Sequence, residues 1–322
     1  MLLERIVLAA PRGFCAGVAY AIEVVDLALR IHGSPLYVKH AIVHNEHVVK
    51  SFEERGVVFV EDITVIPEGS PVVFSAHGVS PQVREQSAER NLEIIDATCP
   101  LVTKVHNEAK RFANKGFKLV YVGHRGHVEA EGTTGEAKDS WVGFVETVEE
   151  AEQLEIPFTE DLAVLTQTTL SVEEVEQILA VLKRRFPHIK TSGKEDICYA
   201  TTNRQAAVRE LAKQCSMVLV VGSTTSSNSN RLREVAETMG SESVLLMTPD
   251  EVDLARVLKH QSVGITSGAS TPEVLVEDII GYLLQSAGSG VKVEVLETVQ
   301  ENVEFRPHRE LIRKAEISSA SF

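Results

Sequence analysis

The sequence has no apolar run approaching the ~18–20 residues that a membrane helix needs. Its start, MLLERIVLAAPRG, breaks a short apolar stretch with Glu4 and Arg5, and so reads as a first strand rather than a signal peptide. Basic residues are in short supply: 32 Lys+Arg against 46 Asp+Glu leave a formal net charge of −14. That balance argues against general nucleic-acid binding, because a phosphate backbone would be repelled. A small anionic substrate then requires a local site that overrides the global field. Cysteines are few and far apart, at Cys15, Cys99, Cys198 and Cys215. A chain of this size needs no disulfide staples, so the expectation is a reducing cytoplasm with thiols free, catalytic or metal-bound. A convincing dinucleotide fingerprint is also missing, so electrons for a redox step would come from outside.

What is present is ample material for a core: 43% of the 322 residues are hydrophobic and 24% charged. The length suggests two domains or three small ones. A coarse threefold repeat lies in the order of elements. IVLAAPRGFC leads to Cys15, LEIIDATC to Cys99 and KTSGKEDIC to Cys198, each at a strand-to-helix junction. Val18, Ile22, Val25 and Leu29 then share a helical face that stops at Gly33; Val102, Val105, Ala109 and Phe112 share another, opened by Pro100 and stopped at Gly116. Ala207 and Leu211 give a weaker third stripe.

After each helix comes a strand that ends in polar residues. From Cys15 to His44, Cys99 to His127 and Cys198 to Asn228 the separations are 29, 28 and 30 residues. A second polar strand end follows at His77, Thr168 and Ser270, at 62, 69 and 72 residues from the same cysteines. Alternating strands and helices imply parallel α/β units, whose binding crevice lies at the strand C-termini. The fold class expected is therefore α/β, with three pseudo-repeated α/β domains over residues 1–97 (Cys15), 98–195 (Cys99) and 196–283 (Cys198), and a non-repeating tail over 284–322. Arranged about a common centre, these would bring three cysteines and six polar strand ends into one cavity.

Cys15, Cys99 and Cys198 each fall where a helix N-terminus favours a thiolate. Three thiolates without CxxC spacing do not resemble a zinc finger. They suit an iron–sulfur cluster with one iron left open for Lewis-acid or redox chemistry. Cys215, in QCSMVLVV, reads as core. His44, His77, His127, Ser226, Ser227 and Asn228 supply donors that can hold a diphosphate without a lysine. In His127-Val-Glu129 the alternation would place both side chains on one face of an extended strand, making Glu129 a candidate general acid. His32, His47, His188 and His260 fall outside the pattern and read as surface residues; His106 and His124 stay unassigned.

The blocks PRGFCAGV, YVKHAIVHN, FSAHGVSP, DATCPLVTKVH, GHVEAEGT, TQTTLS, DICYATTNRQ, SSNSNRL and SGASTPE resemble the 4-hydroxy-3-methylbut-2-enyl diphosphate reductase family from about residue 5 to 310. The resemblance implies a trefoil of three α/β domains around a 4Fe-4S cluster held by Cys15, Cys99 and Cys198, with one iron not ligated by cysteine. It implies that His44, His77, His127, Ser226, Ser227, Asn228 and Ser270 bind the substrate diphosphate. Thr168 would lie by the substrate hydroxyl, which would sit on the open iron, and Glu129 would be the proton donor. The implied reaction is reductive dehydroxylation of the allylic diphosphate to isopentenyl and dimethylallyl diphosphate, last in the methylerythritol phosphate route to isoprenoids. The implied electron donor is a ferredoxin or flavodoxin. Tyr20, Val128 and Thr202 depart from the usual family letters, as does EFRPHREL near the end. The alternatives weighed are another three-cysteine iron–sulfur enzyme of the quinolinate synthase type and a non-catalytic iron–sulfur sensor.

Overall fold

A computed structural model describes residues 3–157, 161–192, 196–288 and 290–319. Its strands are β1 (Arg5–Ala10), β2 (Leu36–Lys39), β3 (Val57–Val60), β4 (Pro71–Phe74), β5 (Glu93–Asp96), β6 (Lys118–Val122), β7 (Trp141–Val145), β8 (Leu162–Thr166), β9 (Lys190–Thr191), β10 (Met217–Val221), β11 (Glu242–Leu246), β12 (Ser262–Ser267) and β13 (Lys292–Glu297). They form three sheets, ordered β3-β2-β4-β5, β7-β6-β8-β9 and β11-β10-β12-β1-β13. The strand pairs described are parallel. The α/β class and the three pseudo-repeated sheets are thus as expected.

The same order recurs in each sheet, with one twist in the chain path. The strand that leads to a cysteine is the last of the preceding group: β5 joins β4, β9 joins β8, and β1 joins β12. Chain order alone puts residues 5–10 in the first third, yet Arg5 registers with Ser262 and Leu8 with Ile265. The tail also differs from expectation. Residue 284 lies inside the helix Glu273–Ala287, and β13 extends the third sheet beside β1. Lys292, Glu294 and Glu297 make it an exposed edge that carries charge, alongside exposed Val293 and Val295. The boundary expected at residue 195 falls outside the described residues.

The chain divides into two compact units. The first comprises Met1–Cys15, His44–Val48 and Tyr199–Glu304, and contains the five-stranded sheet. β10 and β12 are buried along their whole length, as central parallel strands must be. Alternation divides β1: Ile6 and Leu8 meet the helix Glu273–Ala287 through Leu275, Ile279 and Leu283, while Val7 and Ala9 face Ala207, Val208 and Leu211.

The second unit comprises Ala16–Val43, Val49–Cys198 and Phe305–Phe322, and holds the two four-stranded sheets. The helix Ala16–His32 packs on the first of these, against β2, β4 and β5. The helix Pro100–Asn114 packs on the second, where Val105 and Ala109 meet Leu119, Ala163 and Leu165. At each cysteine the chain therefore passes from the last-joined strand of one group, β1, β5 or β9, directly into a helix. Among the described residues no helix is long and apolar enough to cross a membrane.

Candidate functional site

The three expected ligand cysteines occupy equivalent positions. Each immediately precedes a helix: Ala16–His32, Pro100–Asn114 or Tyr199–Ala212. Each also donates its backbone N–H to a carbonyl two residues past the end of a sheet's central strand. Cys15 bonds Ala269 at 3.1 Å, Cys99 bonds Ala76 at 2.9 Å and Cys198 bonds Thr168 at 3.1 Å. All three are part-exposed and none is in a disulfide. Cys215 is buried against Ser262, its Sγ 3.2 Å from Oγ, and burial raises its thiol pKa; it is core, as read. These bonds also refine the repeat. Thr168 matches Ala76 and Ala269, so Thr169 is the residue in register with His77 and Ser270.

In the first unit the loop before Cys15 is tied down from two sides. The Gly13 N–H donates to Ser267 Oγ at 2.8 Å, and the Gly13 carbonyl accepts from Arg204 Nη2 at 2.8 Å. Arg204 is wholly buried and pairs with Glu301 at 3.0 Å. Ser226 caps the helix Ser227–Thr238, its Oγ accepting from the Ser229 N–H at 3.3 Å. That cap places Ser227 and Asn228 in the first turn, where backbone N–H groups favour an anion. Asn228 is 4% exposed, and neither Nδ2 nor Oδ1 finds a partner among the described residues. An amide buried this way is costly unless a ligand completes it. Ser270 Oγ donates to the His44 carbonyl at 3.0 Å.

The second unit holds the acid. His127 and Glu129 do not lie on an extended strand: residues Val128–Gly135 form a helix with His127 as its N-cap. Nδ1 of His127 accepts the Glu129 N–H at 3.2 Å, which leaves Nε2 as the ring's donor position. Glu129 is 2% exposed. Its Oε1 accepts from the Thr168 N–H at 2.8 Å and its Oε2 from Thr168 Oγ1 at 3.0 Å. Burial pushes the Glu129 pKa up to about 7, against the pull of the two Thr168 bonds. One hydrogen-bonded path therefore runs from the Cys198 amide through Thr168 to Glu129 and His127. His77 stands edge-on to His127, ring centroids 6.2 Å apart, with its Nδ1 3.3 Å from Ser75 Oγ.

Three residues escaped sequence reasoning. His40 packs edge-on to His77 at 5.6 Å and holds Glu61 at 2.8 Å. Its backbone is left-handed, with φ of 63°, an uncommon state for a non-glycine residue. Asp196 is buried, accepts from the Thr166 N–H at 3.1 Å and has its pKa raised by burial and by neighbouring Glu108. Arg204 is the third. Its only signal was its place in the block DICYATTNRQ.

An α/β chain with cysteine thiols at three matched strand-to-helix junctions and a buried carboxyl of raised pKa fits an enzyme rather than a binding scaffold. The chain belongs to the LytB protein family, whose profile matches residues 6–284, a family of iron–sulfur enzymes. It is 49% identical over 310 residues to a 4-hydroxy-3-methylbut-2-enyl diphosphate reductase of Actinobacillus succinogenes, covering 95% of this chain and 98% of that one. It is also 49% identical over 301 residues to a Burkholderia mallei protein of the same name, covering 94% and 91%. Among solved structures, the E-1-hydroxy-2-methyl-but-2-enyl-4-diphosphate reductase of Plasmodium falciparum matches with a TM-score of 0.93 at 36% identity, covering 99% of this chain and 100% of that one. A second reductase, described as the terminal enzyme of the non-mevalonate pathway, matches with a TM-score of 0.63 at 27% identity, over 87% and 99%.

Proposed function

We propose that this chain catalyses the reductive dehydroxylation of 4-hydroxy-3-methylbut-2-enyl diphosphate to isopentenyl and dimethylallyl diphosphate. The allylic C–O bond breaks, two electrons and two protons are taken up, one C–H bond forms and water leaves. The observation that carries this reading is the buried Glu129, clamped by Thr168, whose carbonyl in turn holds the Cys198 amide. The close likeness to reductases over nearly the whole chain supports it.

Cys15, Cys99 and Cys198 would hold a 4Fe-4S cluster through three thiolates, leaving one iron without a cysteine. The fit rests on donor chemistry and local equivalence: three part-exposed thiols, each with its amide already engaged by a strand-end carbonyl. When bound, the cluster supplies electrons and Lewis-acid character. The remaining work falls to the chain. His44, Ser226, Ser227, Asn228 and Ser270 of the first unit, with His77 and His127 of the second, offer donors to the diphosphate. The Asn228 amide, buried with no partner among the described residues, is the clearest of these donors. Glu129, with a pKa of about 7, is part protonated near neutrality, so it can give a proton to the departing oxygen and regain one. Thr168 aims that carboxyl. A low-potential carrier of the ferredoxin or flavodoxin class would deliver electrons, in the cytoplasm.

The test pairs two cysteine variants under anaerobic conditions. Cys99→Ser should lose most bound iron and sulfide and form no isopentenyl diphosphate, while Cys215→Ser keeps both. A Cys99→Ser protein with the parent's iron, sulfide and product would refute the three-thiolate assignment.

A further inference from the structure

His106 has no role in the reading above, yet it lies where three motif blocks meet. It sits on the helix Pro100–Asn114 and is 4% exposed. Its Nδ1 donates to Glu136 Oε1 at 2.9 Å, and Lys110, one turn further along the same face, reaches Glu136 Oε2 at 2.9 Å. Glu136 follows directly on the helix Val128–Gly135, which begins with His127 and Glu129. Burial acts to raise the Glu136 pKa, but the bonds from His106 and Lys110 outweigh it and hold the carboxyl below its ordinary value.

The imidazole lies against two glycines. A Cβ on Gly132 would sit 3.1 Å from His106 Cε1, and one on Gly78 would sit at the same distance. Gly132 also approaches the Gly78 carbonyl carbon, 3.6 Å from where its Cβ would be. Three residues on, a Cβ at Gly135 would come 2.6 Å from Ser80 Cβ. Backbone therefore lies on backbone where the helix of His127 and Glu129 meets the loop of His77, and side chains would force the two apart. The His106 ring fills the wedge beside this seam. On either side of the seam, the His77 and His127 rings stand 6.2 Å apart.

We propose that His106, clamped by Glu136, is a positioning residue: its ring keys the two glycine faces together and so sets the spacing of His77 and His127 for the substrate's diphosphate. The proposal rests on the reductase reading for the identity of the substrate. It separates binding from chemistry. Glu129 is aimed by Thr168 independently of His106, so loss of the wedge should affect diphosphate affinity more than turnover.

The experiment compares the parent with His106→Leu, His106→Asn and Glu136→Gln. It measures KM and kcat for 4-hydroxy-3-methylbut-2-enyl diphosphate and the dissociation constant of inorganic diphosphate. His106→Leu, which loses the Nδ1 donor, should raise KM and that dissociation constant roughly tenfold with kcat little changed. His106→Asn, which keeps a donor for Glu136 but not the ring, should recover only part of both losses. If His106→Leu folds and binds diphosphate like the parent, the residue is packing alone and the proposal falls. If it does not fold, Glu136→Gln decides: weakened diphosphate binding supports the proposal and parent-like binding overturns it. A parent that binds no inorganic diphosphate overturns it too. A parent that binds it without turning over the allylic substrate removes the reductase reading and leaves the positioning role to be judged on the dissociation constants.

Discussion

Thr168 holds both oxygens of the Glu129 carboxyl, one through its backbone N–H at 2.8 Å and the other through its hydroxyl at 3.0 Å. The carboxyl is therefore fixed in direction while burial keeps its pKa near 7. A surface glutamate would have neither property. Glu129→Gln preserves size and hydrogen bonding but carries no transferable proton. Its kcat should fall by at least about 100-fold, the usual scale for a general acid, with the absorbance of the bound cluster unchanged. Turnover within a few-fold of the parent would remove Glu129 as the proton donor.

Glu129 also makes stability depend on pH. Its folded pKa of about 7 lies above the ordinary carboxylate value of 4.5, so the folded state binds the proton more tightly than the unfolded one. The associated stability is fully present below about pH 4.5 and is lost as pH rises through about 7. The loss is on the order of 3 kcal/mol. Denaturant titrations of parent and Glu129→Gln from pH 4.5 to 8 should diverge, the variant gaining relative stability toward pH 8. Parallel curves would contradict the buried, proton-binding carboxyl.

Removing the Thr168 hydroxyl takes away one of the two bonds that restrain the Glu129 pKa. Thr168→Val keeps the backbone bond, so the pKa should rise further. The alkaline limb of kcat/KM against pH, which reports the free enzyme, should shift upward, and the maximum rate should drop through poorer aim. An alkaline limb that stays put or moves down would show that another group governs it.

Asn228 offers the opposite balance of function and stability. Both amide atoms are buried without partners among the described residues. Asn228→Ala removes that burden, so the free protein should be as stable as the parent or more so. KM should rise about 10- to 100-fold, the scale of one or two hydrogen bonds to a charged group. Thermal melting and steady-state kinetics check the two arms; a destabilised variant with unchanged KM would make Asn228 structural.

Much of this was legible in the letters. Apolar runs such as MVLVV and LAVLT, each leading into polar residues, read as buried parallel strands, and the recurring cysteine marked where strand gives way to helix. What the letters hid was long-range pairing. Nothing local in RIVLAA states that Arg5 registers with Ser262, and β9 is only two residues long. His127-Val-Glu129 was misread because a three-residue alternation also fits an N-cap followed by the first helical turn. The left-handed backbone of His40 carries no sequence mark either, since glycine is the residue that usually announces one.

The most direct test of the central claim is anaerobic oxidation of a reduced viologen dye by protein whose cluster is confirmed spectroscopically, with and without 4-hydroxy-3-methylbut-2-enyl diphosphate. Oxidation that depends on the allylic diphosphate, with two electrons consumed per product formed, is the expected result. An intact cluster with no substrate-dependent oxidation would contradict the account.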